Sequence, residues 1–258
     1  MGDEVYVLRR KVTLLGLNLR DQVEVYDVIN YRLLRCLTVP NSFGSTDLTS
    51  CEYYLCLYIA NPFLKCIHRL DIENDFTQWA VNDKPQGLSV NAAHNVLVTC
   101  RDVRKIKEFS SHGYLLGELT LPDDVTNPWH AIQTRGGEFI VCHGYYGDAV
   151  HRVCKISADG RHIIKSHGGQ PGSDIGQYRM PFHLAVDNNE FVFVADANNR
   201  RVTLLSPTLD YIRQVVSCDD PKWLPFSLCL DIHRRRLYVS HDQWQDKWTM
   251  GNVVVFSV

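Results

Sequence analysis

Two histidines carry the sharpest chemical signal in this sequence. His130 and His183 each stand two residues after a proline, in PWH at 128–130 and in PFH at 181–183. Imidazole titrates near neutrality and ligates metals, so a matched pair could hold an ion or move a proton. Even a catalytic zinc site takes three protein ligands. No third donor is evident, because Gly87 and Ser227 fill the matching positions elsewhere in the chain. The plainer assignment is a pair of inner-strand polar groups bonded to neighbouring backbone or water. The expectation is no metal, no cofactor and no catalytic residue. The chain also lacks CxxC, GxSxG, Walker and HExxH patterns, which removes the best-marked zinc, hydrolase and nucleotide sites. Nine cysteines are present. Many sit inside apolar runs such as YYLCLYI and FSLCLDI and read as small buried hydrophobes.

Composition narrows the classes further. The 258 residues are 45% hydrophobic and 22% charged, with a formal net charge of −2. That balance exerts no general pull on nucleic acid or anionic lipid, and no DNA partner is expected. No apolar run approaches the roughly 20 residues that span a bilayer. The opening MGDEVYVLRR has no cationic segment followed by an apolar stretch. Tyr6 stands where a myristoylation signal needs Ser or Thr. The reading is a cytoplasmic protein without membrane contact.

The elements that position the two histidines come from a repeat. PQGLSVNAAHNVLVTC from Pro85, PWHAIQTRGGEFIVCHG from Pro128, PFHLAVDNNEFVFVADANN from Pro181 and PFSLCLDIHRRRLYVSHD from Pro225 align. Their prolines are spaced by 43, 53 and 44 residues, and the Gly-rich insert GGQPGSDIGQYR accounts for the long interval. A period of about 40–50 residues signals a propeller or solenoid. Each unit reads as four short strands, HLAVD, EFVFVAD, RRVTLLS and YIRQVVS in the clearest copy. Asx-rich turns separate them. Two weaker units precede Pro85, giving six at approximately 1–41, 42–83, 84–126, 127–170, 171–220 and 221–258. The first lacks its inner strand and the last its outer strand. Either the final blade is three-stranded or the natural chain continues past Val258. The fold predicted is an all-β, six-bladed β-propeller of four-stranded antiparallel blades in one domain. A ring of blades leaves only short edges open.

The unit from Pro181 resembles an NHL repeat, whose pattern is Pro-x-x-apolar-Ala-Val-Asp followed by apolar-x-Val-Ala-Asp-x-x-Asn-x-Arg-apolar. The likeness is fair from Pro128 and Pro225 and faint before Pro85. It implies a six-bladed ring and says little about activity. It also implies that Arg201 bonds main-chain carbonyls across its blade. Arg234, Arg235 and Arg236 then lie in a turn on the opposite face.

The resemblance further implies that loops before each inner strand share one face with loops between second and third strands. Those loops carry Trp129, His130, Tyr145, Tyr146, His151, Arg179, Phe182, His183, Arg200, Trp223, Trp244 and Trp248. Aromatics and Arg are the usual anchors of an interface. The rival reading folds these rings onto the blades as core cover. The leading functional expectation is a non-catalytic module that binds a protein or peptide through this face. In a ubiquitin-ligase-like protein it would serve substrate recognition, since NHL domains often follow zinc modules that this chain lacks. RNA binding is the alternative, with bases stacked on Tyr or Trp. A metal-dependent propeller hydrolase or lyase is the third reading, and no matching ligand set is visible for it.

Overall fold

A computed structural model of the chain describes residues 3–11, 20–40, 43–71, 75–218, 220, 223–242 and 252–258. Among them lie twenty-two strands in six antiparallel sheets arranged as a propeller. The first sheet is β1 (Glu4–Lys11), β2 (Arg20–Asp27) and β3 (Leu33–Thr38). Blade two is β4 (Asp47–Cys51), β5 (Cys56–Asn61), β6 (Cys66–Asp71) and β7 (Phe76–Ala80). Blade three is β8 (Gly87–Val90), β9 (Val96–Cys100), β10 (Lys105–Phe109) and β11 (Leu115–Thr120). Blade four is β12 (Pro128–Gln133), β13 (Phe139–His143), β14 (His151–Ile156) and β15 (Ile163–Gly169). Blade five is β16 (Pro181–Val186), β17 (Val192–Asp196), β18 (Arg201–Leu205) and β19 (Tyr211–Ser217). Blade six is β20 (Leu224–Asp231), β21 (Arg236–Asp242) and β22 (Asn252–Ser257).

The burial gradient follows the radial plan. In β5, β9, β13 and β17 every residue is buried, because a blade's second strand is covered on both faces by its neighbours. These strands read as unbroken apolar runs for that reason. Outer strands β3 and β11 are almost wholly exposed. Five hydrophobic clusters result, each shared by two adjacent blades. Side chains alternate along a strand, so one strand serves two clusters. Val96 and Val98 pack towards blade two while Leu97 packs towards blade four. Likewise Val192 and Val194 face blade four and Phe193 and Ala195 face blade six. Ala131, small where the other inner strands carry Leu, fits against Leu97, Leu121 and Phe139.

Asx turns close the hairpins. Asp187 Oδ1 accepts the N–H groups of Asn189 and Phe191, and Asn91 Oδ1 accepts those of Ala93 and Asn95. One tie recurs after the outer strands of blades two, three and five and fixes blade identity. Val81 N–H donates to Lys65 O, Leu121 N–H to Arg104 O and Cys218 N–H to Arg200 O. Val39 N–H donates to Asp21 O in the same manner, so β1, β2 and β3 are the second, third and fourth strands of blade one. Among the described residues the first blade shows no inner strand and the last no outer strand, as the sequence predicts.

The ring closes between these two short blades through side chains. Arg234 pairs with Asp3 at 2.7 Å and with Asp231 at 3.2 Å. Arg236 donates to Val28 O at 2.8 Å and lies over the Tyr31 ring. The arginine run of residues 234–236 thus belongs to the face opposite the channel-mouth loops. All nine cysteines are free thiols, and six of them are buried. No helix among the described residues is long and apolar enough to cross a membrane.

Candidate functional site at the channel mouth

Strand register brings five side-chain positions to one tier around the central channel. Asp47 pairs with Ala60, Gly87 with Thr99, His130 with Cys142, His183 with Ala195 and Ser227 with Ser240. Each partner is the penultimate residue of its blade's β-bonded second strand or one place earlier in β21, so the five positions are equivalent. Three of the inner strands carry a bulge just before this tier, between Pro128 and His130, Pro181 and His183, and Pro225 and Ser227. The extra residue is aromatic each time: Trp129, Phe182 and Phe226. A bulge re-aims a side chain locally. Here it separates the aromatics at the mouth from the polar tier beneath them.

The tier gathers Asp47, His130 and His183. All three are buried, and one donor atom from each lies within 4.8 Å of the others. The imidazoles stack with centroids 3.8 Å apart and planes 26° from parallel. Asp47 Oδ1 is 3.5 Å from His183 Nε2, and Oδ2 is 3.9 Å from His130 Nε2. Main-chain N–H groups of Leu48 and Leu88 donate to the carboxylate at 2.9 and 2.7 Å. His130 Nε2–H donates to Leu88 O at 2.8 Å. Leu228 N–H donates to His183 Nδ1 at 3.3 Å. Two ring nitrogens, His130 Nδ1 and His183 Nε2, have no hydrogen-bond partner. Gly87 makes room for this arrangement, since a Cβ there would meet Trp129 O at 2.4 Å.

Electrostatics follow from burial. Desolvation, reinforced by His183, pulls the His130 imidazole down to about 3, so it is neutral at pH 7. Burial alone would raise the Asp47 carboxyl. The adjacent His183 and His130 and the Leu88 N–H outweigh that and hold it below its ordinary value. A buried carboxylate therefore stays ionised beside a neutral ring.

Above the tier lies a small cavity of about 90 Å³ lined by Thr46, Asp47, Gln86, Trp129, His183 and Phe226 among others. Drug-sized ligands occupy roughly 300–1,000 Å³, so this one suits an ion, waters or a single functional group. An aromatic belt rims it. Trp129 stacks on Phe182 at 4.2 Å, and Phe182 meets Phe226 edge-on at 4.8 Å. Arg101 lies over the rings of both Trp129 and Tyr145, at 4.4 and 5.0 Å. Tyr146 continues the belt from Tyr145 at 5.2 Å.

The other residues singled out from sequence separate into two sets. Tyr146 is 57% exposed, Arg179 is exposed, and Tyr145, Phe182 and Arg200 are half-buried. Trp129 is only 6% exposed and donates Nε1–H to Gly144 O, so it offers an edge at most. Trp223 packs in the core between blades five and six. His151 is buried and spends both nitrogens on backbone, donating to Tyr145 O at 2.9 Å and accepting Met180 N–H at 2.8 Å. Burial removes Trp223 and His151 from any surface a partner could reach. Trp244 and Trp248 lie outside the described residues.

Arg201 bonds the carbonyls of Ser173 and Gln177 in the Gly-rich loop, and Asp196 holds its Nε at 2.9 Å. Burial lifts Asp196 to about 6 despite that pairing. Blade four repeats the device with a different acceptor: Arg152 Nε donates to His143 Nε2 at 3.0 Å, and Nη2 reaches Asp124.

Asp47, Arg101 and Phe226 are participants that sequence reasoning did not select. The alignment held signals for two of them. Phe226 falls in register with Trp129 and Phe182, and Arg101 opens a 3₁₀ turn, Arg101–Val103, equivalent to Ala197–Asn199. Asp47 sits in GSTDLTS, which lacks the anchoring proline.

No protein-family model matches the chain, and no curated protein sequence matches it. Solved structures do. A protein of unknown function from Bacteroides caccae is 13% identical, with 98% of this chain and 90% of that chain covered and a TM-score of 0.71. A chain of a nidogen/laminin complex is 14% identical, with 98% and 89% covered and a TM-score of 0.70. A catalytically inactive virginiamycin B lyase from Staphylococcus aureus with quinupristin is 11% identical, with 93% and 82% covered and a TM-score of 0.61. At these identities the likeness is one of fold.

Proposed function

We propose that this propeller is a non-catalytic binding module, of a diverged NHL type, that holds a protein or peptide partner across its channel-mouth face. The observation that carries the reading is the continuous belt from Tyr146 through Tyr145, Arg101, Trp129 and Phe182 to Phe226. It combines aromatic surface with a guanidinium already lying over two of the rings, so little side-chain entropy is lost on contact. Exposed Tyr146 and Arg179 stand beside this belt and supply reachable contacts. Among the described residues, four cations of this face are paired: Arg104 with Asp123, Arg152 with Asp124, Arg201 with Asp196 and Lys84 with Asp102. That favours a polypeptide over an RNA backbone, whose binding needs free cations. The nidogen/laminin neighbour is a ring of this architecture inside a protein complex. A recognition role in a ubiquitin-ligase-like assembly is consistent with the same face.

The test is affinity capture with and without RNase, followed by titration of the partner identified. A protein that survives RNase and binds Tyr146→Ala/Arg179→Ala at least about 30-fold more weakly supports the reading. Capture abolished by RNase, or affinity unchanged in the double variant, overturns it.

A further inference from the structure

Beneath the belt, the tier gathers a set of donor atoms able to ligate a cation. Three donors come from three different blades: a carboxylate on β4, an imidazole on β12 and an imidazole on β16. They meet because each starts the channel-facing part of its inner strand. The Asp47 carboxylate is buried, with two main-chain N–H donors on it and His183 Nε2 3.5 Å away. A buried charge is costly unless it is paired or coordinates a metal. Two ring nitrogens, His130 Nδ1 and His183 Nε2, have no hydrogen-bond partner, on side chains that are 3% and 11% exposed. A buried polar atom with no hydrogen-bond partner calls for an explanation, and metal ligation supplies one.

We propose that Asp47, His130 and His183 form a binding site for one first-row divalent transition metal, zinc being the probe of choice. Two imidazoles and one carboxylate suit Zn²⁺, Mn²⁺ or Fe²⁺ better than Ca²⁺ or Mg²⁺, which prefer all-oxygen shells. The surroundings resemble a second shell. His130 Nε2–H bonds a carbonyl, leaving Nδ1 with its lone pair, the usual state of a metal-ligating imidazole. Asp47 is oriented by the Leu48 and Leu88 N–H groups. The adjoining cavity gives water access to remaining coordination positions.

His183 has one adjustment to make. Its Nδ1 accepts Leu228 N–H, which leaves Nε2 as the protonated nitrogen, facing Asp47. Binding through Nε2 moves that proton to Nδ1 and gives up the 3.3 Å contact, the longest hydrogen bond in the tier. The stacked rings also separate to admit the ion. This inference goes beyond partner binding and does not depend on it, because its test uses the metal alone.

The experiment titrates zinc and cobalt into the purified full chain carrying Cys36→Ser and Cys229→Ser, which removes the two exposed thiols. Titration calorimetry is expected to give one site, and cobalt to give visible ligand-field bands. Asp47→Asn and, separately, His183→Gln should each weaken binding at least 100-fold with unchanged circular dichroism. If either variant fails to fold, the thermal midpoint of the parent protein decides: zinc must raise it in proportion to occupancy. No binding of either metal, or binding that survives Asp47→Asn and His183→Gln in folded protein, overturns the proposal.

Discussion

Blade four contributes buried histidines of two kinds, and blade five repeats one of them. His143 and His151, from the start or end of the second and third strands of blade four, spend both ring nitrogens. His143 donates to Thr126 O and accepts Arg152 Nε, and His151 joins Tyr145 O to Met180 N–H. His130 and His183, from the inner strands, each leave one nitrogen unpartnered beside an ionised carboxylate. The residue type and burial are the same, and the bookkeeping of lone pairs differs. The first pair are clamps for loops that cannot otherwise satisfy their backbone. The second pair face the Asp47 carboxylate at the channel, where metal binding is proposed.

The comparison can be broken most forcefully at a clamp. His151→Ala orphans Met180 N–H and Tyr145 O together in a buried setting. At about 1–3 kcal/mol for each stranded group, unfolding free energy should fall by roughly 2–5 kcal/mol, read from the urea midpoint. A loss under about 1 kcal/mol would deny His151 its structural role.

The second test uses pH. Burial, with Arg152 alongside, holds His143 down to about 4, below its ordinary 6.5. The unfolded chain then binds the proton first, so stability is lost as pH falls from about 6.5 towards 4. His143→Gln should flatten that part of the stability profile. Asp196 has the opposite sign. Its folded value of about 6 exceeds its ordinary 3.8, so the native state takes up the proton first and this group costs stability as pH rises from about 4 to 6. Asp196→Asn should make the net slope over that interval more positive. An unchanged slope in both variants would show that neither group is as buried as described.

Arg201→Lys sharpens the comparison at smaller scale. Lysine is a point charge that cannot span Asp196 and the Ser173 and Gln177 carbonyls together. A loss of about 1–3 kcal/mol is expected, with added proteolytic sensitivity in the loop before Pro181. The smallest effect on stability belongs to Tyr146→Ala/Arg179→Ala, expected within about 0.5 kcal/mol of the parent, since both side chains are exposed.

Much of this was legible from the sequence, for identifiable reasons. The Pro-anchored units at 128, 181 and 225 announced the blades because buried second strands are unbroken apolar runs, such as FVFVAD. The juxtaposition of His130 and His183 follows from equal offsets after proline. Arg201 lay in the most regular copy, and its carbonyl contacts came out as the repeat pattern implied. Three things escaped. Asp47 did, because blade two enters its inner strand through GSTD without a proline, so nothing flagged the equivalence that register later made plain. The bulges at Trp129, Phe182 and Phe226 did, because an inserted residue leaves no mark on a period-two pattern this short. Burial of Trp223 and His151 did, because a loop aromatic or imidazole folded down onto a blade has the same sequence as one held out to solvent.

The account rests on a tier of three donors from blades two, four and five that admits a cation once the stacked imidazoles part. Anomalous diffraction at the zinc edge, from crystals grown with zinc, tests this directly. The expected result is a single strong peak inside the channel at about 2.0–2.2 Å from an Asp47 oxygen and from one nitrogen each of His130 and His183. Imidazoles still stacked on each other with no peak between them and Asp47 would contradict it.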